Sequence, residues 1–203
     1  MKTRLLVLLG YLLLLTGCQT TSVLSTWSGG AQGEKFKDVL VIAVLKEMAY
    51  RNIIEQRLVE TLKAQGVDAE AASYLYPDAG PMDKATIDGM IRQSGADSVM
   101  VIRLVDTRKE TVYTPGTTYI DGGYGGRYAG GYYGYYGGGY NVISTPGYTT
   151  QYHISTVETT LFNAATNTRV WSTVTETTET SVDKAINSYT KVIGKTIKES
   201  GLF

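Results

Sequence analysis

Few residues in this 203-residue sequence have the type and spacing that covalent chemistry requires. Cys18 is the only cysteine and His153 the only histidine. Zinc and iron sites need several convergent His, Cys or carboxylate ligands, and a Ser-His-Asp triad would have to use His153 without any GxSxG turn to carry a nucleophile. His153 lies between Tyr152 and Ile154 in a predicted strand, where we expect an ordinary surface or packing residue. The sequence therefore predicts no metal, no catalytic residue and no cofactor.

Two other catalytic patterns are equally weak. Glu158, Glu176 and Glu179 could form a carboxylate pair for glycoside cleavage, but acidic residues on a threonine-rich hairpin are typical of a solvated face. The glycine-rich stretch contains neither GxxxxGK[ST] nor GxGxxG, and it lies between strands instead of opening a helix. We therefore expect a protein that is not an enzyme.

The amino terminus has the pattern of an export signal. Lys2 and Arg4 precede an apolar run from Leu5 to Leu15, which is too short to be read as a membrane-spanning helix. The run leads into Leu15-Thr16-Gly17-Cys18, and these residues resemble the lipobox of bacterial lipoproteins. The resemblance implies a signal peptide over residues 1–17, and diacylglycerol and a fatty acid such as palmitate on Cys18. The alternative is an ordinary secretion signal with an incidental cysteine.

The residue after this cysteine bears on localisation. Gln19 stands where lipoproteins kept at the inner membrane typically have Asp, so the resemblance implies an outer-membrane protein that faces the periplasm. Without residues 1–17 the chain has 17 basic and 19 acidic residues, a net charge of −2. Such a balance offers no electrostatic surface for nucleic acid.

The first half of the mature chain is predicted to alternate strands and helices. Residues 19–35 are rich in Ser, Thr, Gly and Gln, so we expect a flexible tether over residues 18–36 that includes the lipidated cysteine. Buried strands are predicted at 39–45 and 98–105, and a less regular one at 67–76. Between them, a helix over 50–65 carries Ile54, Leu58 and Leu62 on one stripe and ends with Gly66 at its C′ position. A second helix runs from a cap at Asp83 to Gly95.

The second half is predicted to form a hairpin with a low-complexity tip, and then a helix. From Asp121 to Tyr140, ten of twenty residues are Gly and seven are Tyr. The extended flanks are interrupted by Pro115 and Pro146, where we expect pairing to stop. A second hairpin turns at residues 163–168 and would set Leu161 opposite Trp171 and Val157 opposite Thr175. The last helix, capped by Thr180 or Ser181, would bury the stripe Ile186, Tyr189, Ile193 and Ile197.

The order β-α-β-α-β-insertion-β-β-α indicates an α/β fold with a mixed sheet, in a two-layer or three-layer sandwich. We expect one such domain over residues 37–203, with a Gly/Tyr-rich insertion at 116–147. Gly95-Ala96-Asp97 and the hairpin from Leu161 to Trp171 resemble small envelope lipoproteins. This group includes the curli-secretion lipoproteins, the penicillin-binding-protein activators and the amino-terminal domain of the Tol propeller protein. The resemblance implies a compact α/β domain that works by protein contact.

The Gly/Tyr segment is the sequence's candidate binding site. It is either a flexible loop tip that tolerates expansion or a contact surface in which tyrosine supplies amphipathic area and glycine lets the backbone conform. The partner would be a periplasmic protein or a glycan. The alternative is a subunit of an oligomeric envelope assembly or secretion structure. The candidate contact residues are Tyr124, Arg127, Tyr128, Tyr132, Tyr133, Tyr135, Tyr136 and Tyr140.

Overall fold

The computed structural model describes residues 20–29, 34–77, 82–121 and 141–203. These residues form two compact units. The larger unit contains the described residues up to Arg108 together with His153–Phe203, and the smaller unit contains Lys109–Tyr152. The expected insertion at 116–147 lies within the smaller unit. Cys18 and residues 122–140, which include every predicted tyrosine contact and Arg127, lie outside the described residues.

The described residues form a mixed six-stranded sheet and a separate two-stranded sheet packed with helices, so the predicted α/β class is confirmed. The strands are β1 Thr21–Ser28, β2 Asp38–Val44, β3 Asp68–Ala71, β4 Ser98–Thr114, β5 Thr117–Asp121, β6 Asn141–Thr145, β7 Tyr148–Asn163 and β8 Thr168–Glu179. The large sheet has the order β1-β8-β7-β4-β2-β3, and β5 pairs with β6. Strand β2 is parallel to β3 and β4, whereas β8 is antiparallel to β1 and β7.

Helices cover both faces of the larger unit's sheet in the described part of the chain, which makes three layers. They are α1 Met48–Lys63, α2 Ala72–Leu75, α3 Lys84–Ser94 and α4 Val182–Ser200. Alternate residues of β2 point to opposite faces. Val39 and Val41 pack in one core with residues of α1 and α4, while Leu40 and Ile42 pack in a second core with residues of α2 and α3.

The helix ends agree with the sequence in part. Asp83 Oδ1 accepts a 2.8 Å hydrogen bond from the Thr86 N–H, and Gly95 ends α3 in the left-handed conformation, both as predicted. Ser181 occupies the N-cap position of α4, but its side chain makes no capping hydrogen bond. The prediction for Gly66 was off by one place, because α1 is capped at Ala64 and Gly66 adopts its positive φ two residues later.

Two predictions about local structure were wrong. The strand expected at 67–76 ends at Ala71, and Ala72–Leu75 is helical, since its alanine content suits a helix as well as a strand. The tether expected over 18–36 is interrupted by β1, which pairs along its length with β8. Strand β1 has a single partner strand and exposes seven of its eight residues, so it needs no hydrophobic alternation.

The second hairpin follows the predicted register. Leu161 lies opposite Trp171 and Val157 opposite Thr175. The register shifts between Leu161 and Phe162, just before the turn. The turn that joins the strands is held by Asn163 Oδ1, which accepts hydrogen bonds from the N–H groups of residues 165 and 166.

The two sequence pieces that carried the resemblance meet in the fold. The Asp97 carboxylate accepts hydrogen bonds from the backbone N–H groups of Lys37 and Asp38, at 2.9 and 3.2 Å, and so fixes the start of β2. The Asp97 carbonyl accepts a 2.9 Å hydrogen bond from the Ala164 N–H in the turn of the second hairpin. One residue therefore joins the beginning of the parallel part of the sheet to the β7–β8 turn.

Candidate binding site

In the smaller unit, residues 109–152, the described residues 109–121 and 141–152 are mostly extended strand, and we call this unit the hairpin arm. Strand β4 stops at Thr114 and β5 starts at Thr117, while β6 stops at Thr145 and β7 starts at Tyr148. Each break is a Pro-Gly step, in agreement with the expected interruption at Pro115 and Pro146, since proline has no N–H to donate. Pairing does not stop there, however, because β5 and β6 resume an antiparallel ladder.

The two Pro-Gly steps lie against each other. A Cβ atom on Gly116 would overlap the Thr145 carbonyl oxygen and would lie 2.7 Å from the Gly147 nitrogen. A Cβ atom on Gly147 would overlap the phenol oxygen of Tyr113. Gly116 is therefore required by the close approach of backbone groups. Gly147 instead faces the end of the Tyr113 side chain, which is seated against the second Pro-Gly step.

The ladder of β5 and β6 runs up to the Gly/Tyr segment. Its pairs begin with Thr117 opposite Thr145 and end with Asp121 opposite Asn141. The residues that flank segment 122–140 are thus Cα partners in a ladder. The sequence predicts a hairpin here, and in the structure its strands β5 and β6 are paired up to Asp121 and Asn141.

Two exposed tyrosines on the arm were missed by the sequence analysis. Tyr113 is 64% exposed and Tyr148 is 61% exposed, and each lies within two residues of a Pro-Gly step. Their rings offer the same stacking surface and terminal hydroxyl as the tyrosines of the segment. These two tyrosines could have been found in the sequence, because each lies near a Pro-Gly step in one of the two hairpin strands.

The three carboxylates considered for glycoside cleavage each have their own partner in the larger unit. Glu158 forms a 2.5 Å ion pair with Arg103, and Glu176 forms a 2.9 Å ion pair with Arg108. Glu179 accepts a 2.6 Å hydrogen bond from the Thr20 hydroxyl. These contacts join β4 to β7 and β8, and the start of β1 to the end of β8.

A fourth carboxylate, which the sequence analysis did not single out, is completely buried. Glu55 accepts hydrogen bonds of 2.8 Å from the N–H groups of Ala43 and Ser73, and a 3.2 Å hydrogen bond from the Arg51 guanidinium. It lies near the carboxyl end of β2, an edge where α/β sheets commonly bind ligands. Its contacts instead connect α1, β2 and α2, so we assign it a structural role. The i, i+4 spacing of Arg51 and Glu55, next to the predicted buried stripe of this helix, could have indicated a buried ion pair.

The other residues considered for catalysis or metal binding are not brought together into a site in the part of the chain that the structure describes. His153 is half-buried and lies opposite Glu179 in the β7–β8 register. Among residues 20–29, 34–77, 82–121 and 141–203, no group of three or more His, Cys, Asp or Glu side chains is placed to hold a metal ion. Within the same ranges, no helix is long and apolar enough to cross a membrane.

Comparisons with known proteins give only distant structural matches. No protein-family model and no curated protein matches the sequence. The structure is similar to a PelC dodecamer from Paraburkholderia phytofirmans, at 15% identity over 84% of this chain and 93% of that chain, with a TM-score of 0.46. It is also similar to a lipoprotein from Neisseria meningitidis, at 11% identity over 80% of this chain and 99% of that chain, with a TM-score of 0.43. Similarity at this level assigns neither a family nor a function to the chain.

Proposed function

We propose that this chain is a lipid-anchored protein of the bacterial outer membrane that faces the periplasm, binds a partner through the tyrosines of its hairpin arm and catalyses no reaction. One observation carries the binding role. The paired ladder of β5 and β6 ends at Asp121 and Asn141, which are the two residues that flank the segment with seven tyrosines.

The composition of the arm favours contact by aromatic surface. Tyrosine brings a large rigid ring with a hydroxyl at its end, and it loses little side-chain entropy when it is bound. Tyr113 and Tyr148 extend this chemistry from the segment to the described part of the arm. The matching partner is a glycan, whose sugar rings stack on aromatic faces, or a periplasmic protein.

The anchor rests on the lipobox-like residues Leu15 to Cys18. Replacement of Cys18 by Ala would remove the only thiol that could carry diacylglycerol. We expect this variant to leave the membrane fraction and to lose label from radioactive palmitate, whereas the unaltered chain retains both. A Cys18→Ala chain that still fractionates with the outer membrane after a carbonate wash would contradict the anchor.

The binding role can be tested by photo-crosslinking in cells. A photoreactive residue replaces Tyr133, and the matched control carries the same residue at Lys84, whose side chain is 84% exposed on α3 of the larger unit. We expect a discrete adduct at position 133 that is absent at position 84. Protease treatment collapses a protein adduct and muramidase treatment collapses a peptidoglycan adduct, which separates the two partner classes.

A deletion of residues 121–140 completes the test. We expect this chain to keep its circular dichroism spectrum and its unfolding midpoint, because both hydrophobic cores of the described residues are built outside the range 121–140. We expect it to lose capture of the partner identified by crosslinking. Equal adducts at positions 133 and 84, or unchanged capture after the deletion, would reduce the segment to a loop without a binding role.

A further inference from the structure

The folded part of the chain begins almost directly after the proposed lipid anchor. Only Gln19 separates Cys18 from Thr20, whose hydroxyl contacts Glu179 at 2.6 Å and Ser188 at 2.9 Å. The Thr20 carbonyl also accepts a 3.0 Å hydrogen bond from the Thr178 N–H. Since consecutive Cα atoms are about 3.8 Å apart, the Thr20 Cα lies within roughly 8 Å of the Cys18 Cα.

Strand β1, which follows, is held firmly against β8. Seven of its residues have Cα partners in β8. The hydroxyls of Thr21 and Thr177 lie 2.8 Å apart, and the Thr173 hydroxyl donates a 2.9 Å hydrogen bond to the Ser25 carbonyl. The anchor is therefore connected to a fixed strand and not to a slack linker, so the larger unit must stay at the bilayer surface.

The same strand exposes large apolar side chains. Leu24 is 57% exposed, Val23 is 43% exposed and Trp27 is 41% exposed. Leu24 sits where the register between β1 and β8 shifts between Val23 and Ser25, so it has no partner in the ladder. Val23 pairs with Thr175 and Trp27 with Ser172, so these two side chains point to opposite faces of the sheet. The three apolar side chains therefore form a strip along the edge of β1, which pairs with no second strand among the described residues.

The far end of β1 adds a cation to this strip. The Arg169 guanidinium lies over the Trp27 ring, 4.2 Å from its centroid. An amphipathic ring paired with a long basic side chain suits the boundary between lipid headgroups and acyl chains, where the ring meets the apolar layer and the cation meets lipid phosphate. The exposed ring of Trp27 and its contact with Arg169 are therefore typical of a membrane interface and not of a protein core.

We propose that β1 lies along the phospholipid bilayer, with Val23, Leu24 and Trp27 at headgroup depth and Arg169 directed to lipid phosphate. The proposal rests on the lipid anchor of the proposed function. A strand rises about 3.3 Å per residue, so an upright β1 would carry Trp27 roughly 23 Å from Thr20 and into water. If the unpaired edge of β1 lies along the bilayer, apolar side chains from both faces of the sheet reach the surface at which the anchor already holds the strand.

The test uses tryptophan emission from the acylated full-length protein. It is reconstituted in phosphatidylethanolamine and phosphatidylglycerol vesicles with brominated acyl chains, which quench nearby indole rings. The chain has two tryptophans, and Trp171 is almost fully buried. The Trp171→Phe variant reports on Trp27 alone, and we expect bromolipid to quench its emission strongly and its emission maximum to lie at a shorter wavelength than that of indole in water. The Trp27→Phe variant reports on Trp171 alone, and we expect it to keep nearly all of its emission. If Trp171→Phe fails to fold, the difference between the unaltered protein and Trp27→Phe gives the same quantity.

A matched pair of substitutions tests the apolar strip itself. Leu24→Asp should reduce the bromolipid quenching of Trp27, and Leu104→Asp should leave it unchanged, because Leu104 is similarly exposed, at 42%, but lies on β4. Equal effects from the two substitutions would contradict a contact made by β1.

The remaining outcomes are distinguishable. Suppose that mass spectrometry shows acylation of Cys18 but bromolipid does not quench the emission of Trp27. This result would overturn the proposed contact of β1 with the bilayer and leave the anchor in place. Emission that ignores bromolipid and is also shielded from acrylamide would overturn the proposal by showing that protein, such as a second copy, covers β1. Absence of acylation would instead overturn the anchor on which the proposal rests.

Discussion

Tyr189 shows at the scale of one residue how the larger unit accommodates polar groups in its core. Its ring lies in the hydrophobic core beside Ile186 and Ile193, and its hydroxyl lies 2.6 Å from the buried hydroxyl of Thr159 on β7. Burial raises the pKa of Tyr189 well above its ordinary value, and the hydrogen bond with Thr159 opposes this effect only in part. The phenol therefore ionises less readily in the folded protein than in the unfolded chain.

We predict a pH-dependent effect for Tyr189→Phe. At neutral pH the free energy of unfolding should decrease by about 1–2 kcal/mol, because the Thr159 hydroxyl loses its partner in a buried position. The pKa of Tyr189 is raised by folding, so its contribution is complete below the unfolded value of about 10 and decreases as the pH rises above that value. Urea titrations at about pH 8 and about pH 11 should show a larger loss of stability for the unaltered chain than for Tyr189→Phe. Equal losses would contradict the assignment.

At the scale of elements, the sequence was most informative where local chemistry determines structure. The cap at Asp83, the left-handed Gly95 and the buried stripe of α4 could be predicted, because each depends on residues close together in the chain. Strand β1 could not, since its position depends on β8, which lies about 150 residues later. The buried carboxylate of Glu55 was missed for a similar reason: two of its three hydrogen-bond donors lie outside its own helix.

Helix packing gives a prediction at this scale, from two glycines inside helices. A Cβ atom on Gly194 of α4 would lie 2.6 Å from both Thr61 Cγ2 and Gln65 Nε2, whereas one on Gly89 of α3 would meet nothing within 4 Å. Gly89→Ala should stabilise the protein by about 0.5–1 kcal/mol through helix propensity. Gly194→Ala should destabilise it by about 1 kcal/mol or more, because overpacking outweighs that gain. Chemical denaturation of both variants measures the difference, and equal stabilisation would show that α1 and α4 are not in close contact there.

At the scale of the whole molecule, the fold and the candidate site were accessible from the sequence to different degrees. The α/β class followed from alternating buried strands and capped helices, and the structure adds that helices cover both faces of the sheet. The predicted tyrosine contacts lie outside the described residues, so the structure does not test them. The described part of the site is the ladder of β5 and β6 with Tyr113 and Tyr148.

Removal of β1 is predicted to weaken the larger unit as a whole. A chain that starts at residue 30 loses seven cross-strand pairs and exposes the buried hydroxyls of Thr173 and Thr177. With about 0.2–1 kcal/mol for each pair, we expect the free energy of unfolding to decrease by about 2–4 kcal/mol relative to a chain that starts at Thr20. Urea denaturation of the two soluble chains provides the measurement. Equal midpoints would mean that residues 20–29 behave as the flexible tether that their composition suggested.

The pairing of β1 with β8 also imposes an order in time. The ribosome makes Thr21 early and its partner Thr177 near the end, so β1 and β8 cannot pair until almost the whole chain has been synthesised. Pairing of residues so far apart in sequence also slows folding, because a long loop must close before the contacts form. During this interval residues 21–28, which follow the proposed lipidation site at Cys18, have no partner strand. Pairing with β8, the last described strand in the sequence, then fixes the position of β1, the first.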